Sequence, residues 1–280
     1  MQTIATFLAD HALPPAAEIA SVAGGCINHN YRLRCADQSR YFFKCHPSSP
    51  AGFFPAEAAG LRALAATRTL RVPTVVAVSE QGLLLEYLEA TSVEGDYWRQ
   101  LGEQLARLHR CTHDRFGFTQ DNFCGLTPQP NPWYRDGVAF FAEQRLHYQA
   151  ALACRRGVLP RTLMDAIDNL VARLPQLLPE QPPALLHGDL WSGNVLSHRG
   201  QPVLVDPAAH YGLAEAELAM TQLFGGFPTE FYASYQHVNP LPADWQQRCG
   251  IYNLYHLLNH LNLFGQGYLA AIRDLLKQYA

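Results

Sequence analysis

The spacing of apolar residues in this chain changes near residue 90. Before it, apolar positions come in short runs closed by glycine, proline or polar turns. Such runs are Ser21-Val22, Tyr31-Arg32-Leu33, Tyr41-Phe42-Phe43-Lys44 and Gly82 through Leu88. Short runs bounded by turn residues predict β-strands. Two segments differ: Met1 to Asp10 reads as an amphipathic helix, and Glu57 to Leu64 is rich in helix formers. After Ala90, Trp98, Leu101, Leu105 and Leu108 recur at helical spacing. The segments 137–153, 161–174, 214–225, 244–263 and 267–279 also predict helices, with proline-rich breaks at 128–132 and 179–183. Residues 194–197 and 202–206 flank the turn His198-Arg199-Gly200 and predict a hairpin. The expected fold class is α+β with two lobes. A small antiparallel β-rich lobe spans 1–88, a mostly helical lobe spans 89–280, and the boundary falls near Glu86–Ala90.

The most informative polar pattern leads into that hairpin. His187-Gly188-Asp189-Leu190-Trp191-Ser192-Gly193-Asn194 precedes an apolar strand that ends in Asp206. This is the layout of a kinase catalytic loop followed by its metal site. Phosphoryl transfer needs one carboxylate to orient the acceptor hydroxyl and further oxygen ligands to hold Mg²⁺ on the nucleotide phosphates. Asp189 fits the first role, and Asn194 and Asp206 fit the second. His187 fits a structural role in holding the loop. Upstream, Gly24-Gly25-Cys26-Ile27-Asn28 joins two strands, and two adjacent glycines let backbone N–H groups approach phosphates. Lys44 ends an apolar strand and could reach the α/β-phosphates of ATP. Glu57 opens the next helix and can pair with Lys44. Leu85, Glu86, Tyr87 and Leu88 lead out of a buried strand as the hinge expected to meet the adenine edge. The expected fold is thus protein-kinase-like, with ATP between the lobes.

Composition adds mainly exclusions. A net charge of −3 leaves no electrostatic footprint for nucleic acid. No apolar run approaches the length of a membrane span. The N-terminus has no basic, apolar leader of the signal-peptide kind. Seven scattered cysteines without a Cys-x-x-Cys pair point to a reducing, cytoplasmic setting and away from a zinc or disulfide scaffold. His256 and His260 lie one helical turn apart, but His-Leu-Leu-Asn-His lacks the glutamate of a zinc-protease helix.

With these segments assembled, the chain resembles the fructosamine kinase (ketosamine-3-kinase) family, distant relatives of aminoglycoside phosphotransferases and protein kinases. The resemblance rests on Gly24 to Asn28, Phe43-Lys44, Leu108-His109-Arg110 and Asp121-Asn122-Phe123. It continues through Pro128-Gln129-Pro130-Asn131-Pro132-Trp133, Gly188-Asp189-Leu190-Trp191-Ser192-Gly193-Asn194, Phe224-Gly225-Gly226-Phe227 and Tyr252 through His260. It implies an ATP- and Mg²⁺-dependent kinase that phosphorylates the 3-hydroxyl of a ketosamine, free or attached to protein lysines. Such an enzyme serves in deglycation repair. A kinase of another small hydroxyl compound, of aminoglycoside, choline or homoserine type, is the alternative. One departure is Glu217, where the family usually carries Asp; the carboxylate is kept.

Three features separate the site from protein kinases. Gly188 stands where they carry the Arg that pairs with a phosphorylated activation loop. Pro207 follows Asp206, and its fixed φ disfavours a flipped inactive state. No long peptide-binding loop follows Asp206, so the acceptor is a small molecule or a small group on a larger one. Candidate substrate contacts are Trp191, whose flat face suits a sugar, Trp133 behind its rigid proline-rich approach, Asn122 and His260. Cys26, inside the glycine-rich turn, is a candidate redox-sensitive thiol. A monomer or weak dimer is expected.

Overall fold

The computed structural model describes residues 4–22 and 28–279. The glycine-rich turn, with the expected phosphate-binding Gly24 and Gly25 and the redox candidate Cys26, lies outside the described residues.

Helix α1 (Ile4–Asp10) leads into strands β1 (Ala16–Val22), β2 (His29–Cys35) and β3 (Arg40–Cys45). Helix α2 (Phe53–Ala66) follows, then β4 (Val75–Ser79) and β5 (Gly82–Glu86). The five strands form one antiparallel sheet in the order β1-β2-β3-β5-β4. Its two faces carry different cores. Phe7 and Leu8 of α1 cover Leu33, Phe43, Ala77 and Leu84 on one face. Because side chains alternate along a strand, Lys44, next to Phe43, points to the opposite face. Helix α2 packs there, against Leu83 and Leu85. The pleat therefore delivers a lysine to the side from which a glutamate can reach it.

The remainder is mostly helical. Helix α3 (Tyr97–His109) buries Leu101, Leu105 and Leu108, as their spacing predicts. Two short hairpin strands, β6 (Asn122–Cys124) and β7 (Thr127–Gln129), precede α4 (Gly137–Phe141), a π turn at 142–147, α5 (Tyr148–Arg155) and α6 (Arg161–Leu177). The helix expected over 137–153 is thus present but widened by one π turn. That turn carries Arg145 inward, where its guanidinium donates to Pro130 O at 2.8 Å and Asn131 Oδ1 at 2.7 Å. Strand β8 (Ala184–Leu186) leads into the loop at Asp189, and β9 (Val195–His198) and β10 (Gln201–Leu204) form the expected hairpin. Strand β11 (His210–Gly212) pairs back onto β8, and α7 (Ala214–Leu223), α8 (Thr229–Val238), α9 (Cys249–Phe264) and α10 (Leu269–Lys277) complete the lobe. Helix α8 was not expected: only Phe231 and Tyr235 are buried on it, too few to set a readable period. Among the described residues, no helix is long and apolar enough to cross a membrane.

Candidate active site

The loop carrying Asp189 is built from constraints that the sequence carries in plain view. Gly188 has φ +86°, and a Cβ there would stand 2.1 Å from Ala208 O. No L side chain fits, so the Arg of protein kinases is excluded by backbone shape as well as by role. The N–H groups of His187 and Gly188 both donate to the buried Glu217 carboxylate, at 3.0 and 2.6 Å. His109 Nε2 sits 2.9 Å from the same carboxylate and Tyr235 OH 2.8 Å from His109 Nδ1. Burial would raise the Glu217 pKa, but the bonds from His109 and the loop outweigh it and hold the carboxyl below its ordinary value. Glu217 is thus the post to which the loop is tied. His187 locks the other side through its ring, with Nε2 2.8 Å from Val205 O.

From this expectation follows a test. Glu217→Gln places an amide N–H₂ against backbone donors, and each lost charged hydrogen bond is worth about 1.5–3 kcal/mol. The variant should melt several degrees lower. Its turnover should fall at least tenfold while nucleotide affinity holds. Equal Tm and turnover in the purified variant would show that the loop does not depend on this anchor.

Asn194 faces Asp189. Its Nδ2 donates to Asp189 O at 2.8 Å and to Asp189 Oδ2 at 3.1 Å, which leaves its Oδ1 as the oxygen available to a cation. Val205 N donates to Asn194 O at 3.0 Å, so the strand leading to Asp206 runs directly beside it. Asp206 adopts φ 58°, a left-handed conformation that non-glycine residues seldom take, and its side chain is 45% exposed. Lys44 Nζ meets Glu57 Oε1 at 2.6 Å and Asp206 Oδ1 at 2.9 Å. Burial alone would favour the neutral amine, but the two carboxylates outweigh it and the Lys44 pKa is raised. Gly60, one turn after Glu57, lets α2 approach Pro207 and Ala209, which brings Glu57 within reach. Asn194 and Asp206 supply the hard oxygen donors that Mg²⁺ prefers.

These side chains line one cavity of about 480 Å³. Lys44, Glu57, Asp189, Asn194 and Asp206 form its polar end. The lining also holds a cluster of touching rings: Trp191, Phe224, His260, Phe264 and Tyr268. Trp191 is 36% exposed, with its ring set edge-on to Phe224. Gly193 lies directly against it, and a Cβ there would stand 2.3 Å from the indole, so the ring would have to shift. His260 packs among Phe224, Phe264 and Tyr268, with ring centroids 4.8–5.4 Å apart.

One expected substrate contact, Trp133, lies away from the cavity, and a second, Asn122, lines it with its polar atoms already bonded. Trp133 does not line this cavity. It stacks on His113 at 4.6 Å, with the Arg115 guanidinium over its ring, because the proline-rich segment folds back onto the large lobe. Asn122 does reach the cavity, but its polar atoms serve the scaffold. It donates to Ala209 O at 2.8 Å and accepts from Gln129 at 2.7 Å and Asn131 at 2.9 Å. The Pro-Gln-Pro-Asn motif is therefore a bracing network under the site. The hinge residues Leu85, Glu86, Tyr87 and Leu88 are not among the walls of this cavity. Glu86 instead accepts from Arg71 at 2.7 Å and from Thr74, which pins the end of β5.

Sequence reasoning missed the rings of Phe224, Phe264 and Tyr268, and the buried Arg145. Phe224 and the Tyr252–His260 stretch lay inside segments already matched to a family, but aromatic residues on mostly apolar helices look like core until the chain is folded.

A family model for fructosamine kinase matches residues 1–280. A probable ketoamine kinase from Synechocystis is 47% identical over 270 residues, covering 93% of this chain and 90% of its own length. The chloroplastic protein-ribulosamine 3-kinase of Arabidopsis thaliana is 37% identical over 273 residues, covering 94% of this chain and 82% of that protein. The crystal structure of a candidate fructosamine-3-kinase from Thermobifida fusca superposes with a TM-score of 0.91 at 32% identity. It covers 99% of this chain and 98% of that one. With a full-length family match, relatives well above 30% identity and the same two-lobed fold, this chain belongs to the fructosamine kinase family.

Proposed function

We propose that this kinase transfers the γ-phosphoryl of ATP to the 3-hydroxyl of a ketosamine, with Asp189 as the acceptor-orienting base. The observation that supports this most directly is the shared cavity. It gathers Asp189, the Lys44–Asp206 pair and a group of aromatic rings suited to the C–H face of a sugar. Residues 1–88 serve as the nucleotide lobe, with the backbone at Glu86–Leu88 at the adenine edge. Asn194 and Asp206 would hold Mg²⁺, which would supply neutralisation of the phosphate charge. Lys44 places the phosphates as a point charge. Asp189 aligns the hydroxyl and accepts its proton late, since the transition state is loose.

The product explains the chemistry of repair. Phosphate on C3 leaves more readily than hydroxide. Loss of a C1 proton gives an enaminol that expels phosphate from C3, and hydrolysis then frees the amine. Among the described residues of the cavity lining, Lys44 is the one Lys or Arg, and it is already paired with Glu57 and Asp206.

ATP consumption with ribulosamine, erythrulosamine and fructosamine adducts of lysine tests the assignment, with aminoglycosides and choline as controls. Turnover confined to the controls would overturn it. Trp191→Ala should raise KM for the ketosamine about threefold to tenfold, the scale of one aromatic contact, and leave KM for ATP unchanged. An equal rise in both would remove Trp191 from the acceptor side.

A further inference from the structure

Three side chains from separate segments, Cys124, Asp189 and His256, converge beside the main cavity. Cys124 Sγ, a ring nitrogen of His256 and a carboxylate oxygen of Asp189 all lie within 4.8 Å of one another. Cys124 ends β6 and lines the main cavity together with Asp189. His256 lies deeper, on a second cavity of about 30 Å³ that also meets Gly188 and Arg145.

The His256 ring is the unexplained member. It is 5% exposed, yet its Nδ1 makes no hydrogen bond and stands 3.9 Å from Asp189 Oδ1. A buried ring nitrogen without a partner forfeits about 1–3 kcal/mol. Asp189 is arranged to match. Its Oδ2 is taken by Asn194, so Oδ1 is the oxygen turned toward His256. Asn259 Nδ2 approaches Cys124 Sγ to 3.2 Å, a donor suited to a thiolate. One sulfur, one imidazole nitrogen and one carboxylate oxygen are the donor types of a zinc site with an open fourth position. Tetrahedral bond lengths of roughly 2.0–2.3 Å require the three donors to close by about an ångström. Burial keeps the Cys124 thiol protonated, so binding must release its proton to water: Cys–SH plus Zn²⁺ gives Cys–S–Zn⁺ plus H⁺. The Arg145 guanidinium nearby opposes a dication, which the thiolate and the Asp189 carboxylate together offset.

We propose that Cys124, Asp189 and His256 form an inhibitory site for a thiophilic divalent cation, with Zn²⁺ as the fitting ion. Sulfur and imidazole select zinc over magnesium, so the site is separate from the oxygen donors of Asn194 and Asp206. A zinc ion there occupies Asp189 Oδ1 and denies it to the acceptor hydroxyl. Inhibition is therefore competitive with the acceptor and insensitive to added Mg²⁺. This last step rests on the proposed role of Asp189; the binding site does not.

Co²⁺ is the probe for binding, titrated anaerobically into the reduced full-length protein. One equivalent should produce a thiolate-to-cobalt charge-transfer band, displaced by one equivalent of Zn²⁺ and untouched by a hundredfold excess of Mg²⁺. Cys124→Ser should abolish the band, and His256→Gln should weaken binding at least tenfold. No band in the wild type, or an undiminished band in Cys124→Ser, would overturn the site. If Cys124→Ser does not fold, zinc-edge X-ray absorption on the wild type decides: one sulfur ligand with nitrogen and oxygen supports the site, and none refutes it. Loss of ketosamine turnover on adding zinc, restored by a chelator, tests inhibition separately. A protein that binds cobalt as described but phosphorylates no ketosamine would keep the site and discard the substrate.

Discussion

Asp189→Asn should fold, bind nucleotide and lose turnover by about 10²–10⁴-fold, the usual scale for a positioned base. Asparagine preserves the shape and can still accept the bond from Asn194 Nδ2. What it removes is the carboxylate. Burial pushes the Asp189 pKa up to about 7, helped by Asp206 and Glu217 and opposed by Asn194. The wild-type kcat/KM should therefore rise as pH passes through about 7, and this limb should vanish in the variant. Stability should move the other way. A carboxyl whose folded pKa is raised from 3.8 binds more protons folded than unfolded between pH 3.8 and 7. The charge therefore destabilises the fold increasingly as pH rises through that window, by about 1.4 kcal/mol per unit. With chelator present, Asp189→Asn should melt higher than wild type at pH 8 and equally at pH 3.5. A folded variant with near-wild-type turnover would remove Asp189 from the role of base.

That trade between stability and chemistry bears on what the sequence could disclose. Lys44, Glu57, Asp189, Asn194 and Asp206 stood out in the sequence as candidates because each departs from what packing alone would choose. The structure brings all five to one cavity. Residues that share a duty between packing and recognition were not readable. Trp133 and Trp191 both follow tight, glycine- or proline-rich segments, yet one stacks on His113 and the other lines the cavity. Only the path of the backbone separates them. The bonds of Asn122 to Gln129, Asn131 and Ala209 O were hidden in the sequence because one of its partners is a carbonyl 87 residues away. Helix ends shifted for a related reason: the break before α9 comes at Arg248, whose guanidinium is drawn to the buried Glu215 at 2.7 Å. Local spacing does not carry such long-range pairings. The Cys124–Asp189–His256 cluster belongs to the same class, since its members come from three segments with no shared spacing.

Lys44→Met should abolish measurable turnover and also weaken the fold, and the two losses should separate in a double variant. Lys44 is 2% exposed and Glu57 10%, so removing the ammonium leaves a nearly buried carboxylate without its cation. Breaking a buried pair in this way costs about 3–5 kcal/mol. Asp206, 45% exposed, is screened by solvent and adds little to that cost. Replacing both partners, as Lys44→Met with Glu57→Gln, removes the stranded charge and should recover most of the lost Tm. It cannot recover activity, because no point charge remains to place the phosphates. Glu57→Gln alone should be the mildest of the three. Lys44 then keeps Asp206 at 2.9 Å but loses its hold on α2, which predicts a raised KM for ATP with kcat reduced less than in Lys44→Met. Thermal melts and steady-state kinetics on the three proteins decide the matter. A double variant no more stable than Lys44→Met would show that the pair is not a closed unit. Unchanged kinetics in Glu57→Gln would show that Asp206 alone positions the lysine.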